Sequence, residues 1–355
     1  MEKREIYPDL LRILAICAII VLHVASRNMW LYDVGDFQFE VFTLWYSLTR
    51  WAVPIFIMIS GAFLLDEKKS ISNNKLFAYC KRILISFVGW SLVYAIWNTI
   101  ISYDFVWPNF NLSALWQNFY MGPYHFWYLY VILGLYLILP FLRKCVAQCN
   151  KKDIEYLLLL FFVFSIFAPI LSKFDVLPFL TYWINSMRIS SVSGYIGLFV
   201  LGHYLRKYNE MFKLKRWVCL ITFFIALILM IFLTFYLEIK TGVRDDFWQD
   251  NLSIFVVIQA ISLFVLCMKN EKSLIARKER TKNAISYLSK NSFGVYLCHD
   301  IFISLFARIG LDTAKYNPIW GVGVISALVT VASYIFIGML KKVWSICKII
   351  FRKNK

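Results

Sequence analysis

The sequence predicts an all-α, polytopic integral membrane bundle of about ten transmembrane helices with both termini cytoplasmic. Three observations predict it. Hydrophobic residues make up 60% of the 355-residue chain and the mean hydropathy is +0.64, more than a soluble core of this length needs. Apolar runs of near-membrane length recur from end to end. Lysine and arginine alternate in density along the connections between those runs: 29 of the 38 fall in one alternating set and 8 in the other, Arg12 being the remaining one. That asymmetry is the positive-inside pattern and places the first set in the cytoplasm. The net charge of +17 therefore belongs to short inner loops, and no nucleic-acid partner is expected.

The spans fall near 8–26, 44–65, 79–101, 127–143, 154–172, 192–206, 217–238, 250–268, 284–307 and 318–340. Thirteen Trp and 21 Tyr suit aromatic belts at both interfaces. The longest outer connections are 27–43, 102–126 and 173–191. The stretch 102–126 has no Lys or Arg and is rich in aromatics, so it is expected on or in the outer leaflet. All eight cysteines lie in apolar spans or basic flanks, which argues against structural disulfides. Cys145 and Cys149 are four apart with no second pair, so no metal is expected. Barrel periodicity, internal repeats, phosphate-binding loops and dinucleotide fingerprints are absent. Residues 1–345 are expected to form a single transmembrane domain, followed by a basic cytoplasmic tail at 346–355, with no appended soluble domain.

The first span is neither a signal peptide nor a plain anchor, because Asp9, Arg12 and His23 are embedded in it. Arg12 and His23 are eleven residues apart and lie within roughly 20° of one helical face, with Asp9 within roughly 40° of His23. The rise from Arg12 to His23 is about 16–17 Å, more than half of the bilayer core. A stripe with a cation near one surface and an imidazole near the other is costly against lipid and should line a cavity or a bundle interior. His23 is then either an interfacial histidine bonded to a carbonyl or a base for hydroxyl chemistry. Arg12 is either a phosphate ligand or simply the i,i+3 partner of Asp9.

Further along, Arg50, Pro54, Ser60 and Gly61 occupy the second span, either as a kinked packing helix or as a cavity wall. His125-Phe126-Trp127-Tyr128-Leu129 opens the fourth span, as an aromatic anchor or with His125 level with His23. Gly194, Gly197 and Gly202 point to close helix packing, and His203 to an inner-surface histidine. His299 and Asp300 fall near mid-membrane, where they either bond across the bundle or line a reaction cavity.

Four pieces, in order, carry a resemblance over essentially the whole chain. They are Tyr7-Pro8-Asp9-Leu10-Leu11-Arg12 with His23 eleven residues after Arg12; Arg50, Pro54, Phe56 and Ser60-Gly61; His125-Phe126-Trp127-Tyr128-Leu129; and Ser292-Phe293-Gly294-Val295-Tyr296-Leu297-Cys298-His299. On these the chain resembles the acyltransferase family 3 membrane proteins, in their short, stand-alone form. The resemblance implies a multi-pass protein of the bacterial cytoplasmic membrane, in contact with membrane lipid. It implies transfer of an acyl group, acetyl by default, from cytoplasmic acetyl-CoA as co-substrate to a hydroxyl of an extracytoplasmic glycan acceptor, cell-surface or lipid-linked, without a metal. In that frame His23 is general base or transient acyl carrier. His125 and His299 join it as catalytic candidates. Arg12, Asp9, Ser60 and Gly61 are the acyl-CoA side. Arg50, Trp127 and Tyr128 are the acceptor side. A membrane transporter or exporter of a polysaccharide or small polar solute is the rival reading, and a membrane protein whose polar groups serve only packing is another.

Overall fold

The computed structural model describes residues 5–69, 71–102, 112–187, 189–212 and 214–353. Among them the secondary structure is helical throughout, without strands. Eight helical stretches are long and apolar enough to cross a membrane. The other two expected spans, 192–206 and 284–307, form helices as well, Ser190–Lys207 and Glu279–Arg308, but do not reach the same apolarity. In the second of these the run is interrupted by polar residues, among them Lys290, Asn291, His299, Asp300 and Arg308. Part of the outer connection expected at 102–126 lies outside the described residues. Its remainder includes a helix, Leu112–Met121, whose Leu112, Trp116, Tyr120 and Met121 are exposed.

Two compact units make up the chain, one from residues 1–56 with 214–355, the other from 57–213. The first unit is built around α1 (Tyr7–Met29). It packs on α2 (Phe37–Thr49), and α3 (Ala52–Leu64) begins here and continues into the second unit. The expected single span at 44–65 is thus two helices broken at Arg50-Trp51. Pro54 explains the break: it has no N–H for the Arg50 carbonyl, whereas in the first turn of a new helix that donor is not needed.

The second unit contains α4 (Asn73–Ser102), α5 (Leu112–Met121), α6 (Trp127–Gln148), α7 (Lys151–Phe161), α8 (Ala168–Lys173), α9 (Pro178–Ser186) and α10 (Ser190–Lys207). Between α7 and α8 the helix widens to a π segment, Phe162–Phe167, next to Pro169, which cannot donate to the carbonyl four residues back. Helices α3 and α10 touch backbone to backbone within this unit. A Cβ on Gly61 would overlap the Phe199 carbonyl, one on Gly202 the Met58 carbonyl, and one on Gly197 the Phe161 ring. The close packing read from the glycines of α10 is present at Gly197 and Gly202. Gly194 instead marks a kink, with φ −24° and ψ −107°.

The chain returns to the first unit with α11 (Arg216–Thr241), α12 (Ile254–Lys269), α13 (Glu271–Ile275), α14 (Glu279–Arg308) and α15 (Pro318–Lys353). α12, α14 and α15 all pack on α1, and α11 packs on α12 and α2. The helix with the embedded charges is therefore the central one of its unit, enclosed by four others.

Candidate active site

Each level of α1 is tied to a late part of the chain. At its start the N-cap residue, Ile6, makes no side-chain cap. Instead Glu271, at the N-terminus of α13, accepts from the backbone N–H of Ile6 at 2.9 Å and of Tyr7 at 2.7 Å. A carboxylate there satisfies two donors that a helix start leaves open and complements the positive end of its dipole. One turn on, Asp9 accepts from Ser289 Oγ of α14 at 2.7 Å and from Arg12 Nη1 at 3.1 Å. The i,i+3 pairing of Asp9 with Arg12 is thus present. It leaves the Arg12 side chain 36% exposed while Asp9 is buried.

Along the same face, His23 meets His299 of α14. The two rings stack at 5.2 Å between centroids with 28° between planes. His299 is fully buried, and its Nδ1–H donates to the Tyr296 carbonyl at 2.7 Å. A carbonyl only accepts, so Nδ1 carries a proton, and in the neutral ring this fixes the tautomer with the lone pair on Nε2. Depth counted along the sequence separated the two histidines, one near the outer end of its span and one at mid-membrane. From Asp9 to His23 is about 21 Å of α1 and from Ser289 to His299 about 15 Å of α14, yet both pairs meet. Asp300, the adjacent residue, is half-buried and points about 100° away around α14.

Arg50 occupies the break between α2 and α3. Its Nε–H donates to the Gln249 carbonyl, its Nη1 donates to the Tyr46 hydroxyl at 3.0 Å, and its guanidinium lies over the Tyr46 ring at 4.9 Å. Gln249 in turn donates from Nε2 to Ser47 Oγ at 2.7 Å. Arg50 is thereby held within electrostatic range of His23. The C-terminal end of α1 is closed by Asn28, whose Nδ2 donates to Asp312 Oδ1 and, at 2.7 Å, to Thr313 Oγ1 in the connection between α14 and α15.

The structure thus brings Asp9, Arg12, His23, Arg50 and His299 onto or beside one helix of the first unit. The remaining predicted residues belong to the second unit. His125 sits in a 3-10 turn, Tyr124–Phe126, that opens α6. It is 1% exposed, with its ring edge-on to Tyr94 at 5.4 Å, Tyr124 at 5.3 Å and Phe126 at 4.8 Å. Trp127 and Tyr128 are half-buried in the first turn of α6, Trp127 with its ring 6.1 Å from that of Tyr195. Ser60 is half-buried on α3, and the space a side chain of Gly61 would take is filled by the Phe199 carbonyl. Just past the C-terminal end of α3, Asp66 accepts from Arg206 at 2.9 Å. Burial raises its carboxyl, but the Arg206 hydrogen bond, the Lys68 N–H and the charges of Arg206 and Lys69 together hold it below the ordinary carboxylate value.

Sequence reasoning missed Glu271, Ser289 and Tyr296. Tyr296 supplies a backbone carbonyl, which no residue type announces. Glu271 left one trace, an acid in a strongly basic inner connection. Among the described residues, no group of three or more His, Cys, Asp and Glu side chains is placed to hold a metal ion. No curated protein and no solved structure matches the chain. A family model described as an acyltransferase domain matches residues 5–338, nearly its full length, from before the Glu271-capped start of α1 to the last turns of α15 within the bundle. The chain belongs to acyltransferase family 3 and is a membrane acyltransferase.

Proposed function

We propose that the protein transfers an acyl group, acetyl in the first instance, from cytoplasmic acyl-CoA to a hydroxyl of a cell-surface or lipid-linked saccharide at the outer side of a bacterial cytoplasmic membrane. Residues 1–345 act in this reading as one catalytic domain. The observation that carries it is the stacked pair of His23 and His299, with the His299 tautomer fixed by the Tyr296 carbonyl.

His23 is the general base. It takes the proton of the acceptor hydroxyl as that oxygen attacks the thioester carbonyl. The C–S bond breaks, CoA leaves as the thiolate, and the proton passes from His23 to the sulfur. His299, buried and locked in orientation, holds the His23 ring plane. Arg50, in electrostatic range of His23, steadies the negative charge that develops on the carbonyl oxygen. Arg12, partly exposed at the basic inner end of α1, meets the CoA phosphates, with Asp9 fixing its side chain. Ser60 and Gly61 are assigned to the donor side, and Trp127, Tyr128 and His125 to the acceptor side, by the family resemblance alone.

The test is thiol release from acetyl-CoA by detergent-purified protein, wild type against His23→Ala, with matched thermal melts. The expected result is a rate lower by about 10²–10⁴ in the variant, at unchanged melting temperature. Trapping of a labelled acyl group on His23 in the absence of acceptor would replace the base by an acyl carrier. A wild-type protein that neither binds nor turns over acetyl-CoA with envelope glycan supplied would overturn the reading in favour of transport.

A further inference from the structure

Beyond the histidine pair, the first unit holds a second polar cluster past the C-terminal end of α1. Trp30, which ends that helix, is 71% exposed. The Arg244 guanidinium lies over the Trp30 ring at 4.1 Å and over the Tyr46 ring at 5.3 Å, so Tyr46 carries both Arg244 and Arg50. Arg244 reaches this place because α11 ends in Gly242, whose positive φ of 68° reverses the chain while its N–H donates to the Glu238 carbonyl at 2.8 Å. Glu238 itself is 1% exposed. Its Oε1 accepts from the Asp245 N–H at 3.3 Å. Its Oε2 is buried without a hydrogen-bond partner, and Arg244 Nη1 is a buried donor without one. The two side chains are within electrostatic range of each other, yet no ion pair joins them.

A buried acceptor and a buried donor in electrostatic range, with Asp245 next to Arg244 in the chain and bonded to Glu238, favour a group that serves both. An anion would suit Arg244 and be repelled by Glu238; a cation would meet the reverse. A neutral hydroxyl serves both, its O–H donating to Oε2 and its oxygen accepting from Nη1. The open face of Trp30 beside them suits the apolar face of a sugar ring. Along α1, Trp30 lies seven residues past His23, about 10 Å, a span that two joined sugar rings fill and one does not. We infer that Glu238, Arg244 and Trp30 hold a neutral, hydroxyl-bearing sugar unit of the acceptor, adjacent to the unit acylated at His23. The inference rests on the proposed function and deepens it: the acceptor is at least a disaccharide and is uncharged at this subsite.

The test uses the full-length protein in a sugar-free detergent, with acetyl-CoA and four p-nitrophenyl disaccharides (maltoside, lactoside, cellobioside and chitobioside) against the p-nitrophenyl glucuronide. At least one neutral glycoside should accelerate thiol release more than the glucuronide does. Glu238→Gln and Trp30→Ala should each raise the KM for that glycoside roughly tenfold, with the effect on the acetyl-CoA KM much smaller. Ile239→Ala, exposed and next along α11, should behave as wild type. Because Trp30 is exposed, its variant reports on binding even if Glu238→Gln folds poorly. Wild-type glycoside KM in both variants overturns the subsite while leaving the acyltransferase reading intact, as does preference for the glucuronide. Acceleration by none of the four, with His23-dependent thiol release present, overturns it too. Absence of thiol release altogether removes the proposed function and the subsite with it.

Discussion

The two units of this protein differ in what marks their helix crossings, although the second also has polar links such as the Asp66–Arg206 ion pair beside α3 and α10. In the unit of residues 57–213, helices approach until backbones touch, and glycines make the approach possible: Gly61 against Phe199, Gly202 against Met58, Gly197 against the Phe161 ring. In the unit of residues 1–56 and 214–355, helices are joined by polar links: Glu271 to the start of α1, Asp9 to Ser289, His23 to His299, Gln249 to Ser47 and Arg50, Asn28 to Asp312 and Thr313. Close backbone contact gives dispersion with no polar group to satisfy. Polar links across a membrane bundle cost desolvation and repay it only when each is made. The four histidines follow this division. His23 and His299 face each other, one with its tautomer fixed, while His125 is enclosed by aromatic edges and His203 is buried on α10. Fixed polar geometry around α1 is suited to chemistry; backbone contact between α3 and α10 is suited to scaffolding.

The sharpest way to break this contrast is to add one methyl group. Gly202→Ala should prevent the second unit from forming its α3–α10 crossing, because the new Cβ meets backbone that has no rotamer to yield. Loss of the monodisperse peak and gain of protease cleavage in residues 57–213 would show it. Gly134→Ala in α6, where nothing lies within 4 Å, should instead stabilise by about 0.5–1 kcal/mol. Equal tolerance at both positions would dissolve the contrast. Next in size, Glu271→Ala removes two backbone hydrogen bonds from the first unit and should cost about 1–2 kcal/mol in denaturant titration, with Glu271→Gln recovering part of it. A neutral result would mean that α1 does not depend on its distant cap. The smallest effect concerns Asp66 and Arg206. Because the folded carboxyl lies below its ordinary value near 4, the pair stabilises fully above that value. The contribution is lost as pH falls through the lower, folded value. The stability gap between wild type and Asp66→Asn should therefore be level at neutral pH and narrow only in acid.

The contrast also explains what could be read from the chain. Charges in an apolar run are visible one by one, so α1 with Asp9, Arg12 and His23 stood out, as did the inner-rich distribution of Lys and Arg. Glycine spacing at 197 and 202 was legible as packing because it repeats on one helix. At Gly61 packing was one of two readings left open, since its partner is the Phe199 backbone and a single glycine carries no period. The break at Arg50-Trp51 was half legible: Pro54 was plain, but a proline ends the preceding helix upstream of itself. The histidine pair was missed as a pair because depth counted from flanking lysines locates a helix end only to within a turn or so, and a turn decides which side chains meet. The role of Glu271 was not legible beyond its acid charge in a basic connection, for its targets are backbone groups 264 and 265 residues away.

Those separations carry a consequence for how the molecule is made. Every partner of α1 named above in its polar links lies at least 264 residues downstream: Glu271 for Ile6 and Tyr7, Ser289 for Asp9, His299 for His23, Asp312 and Thr313 for Asn28. At ribosomal speed that interval is on the order of half a minute. During it the first helix waits in or near the bilayer with a carboxylate, a guanidinium and an imidazole and none of these distant partners. The first segment synthesised is the last one completed, so α1 needs a polar shelter from the insertion machinery while it waits. A ribosome stalled before residue 271 would expose it to membrane quality control as an orphan.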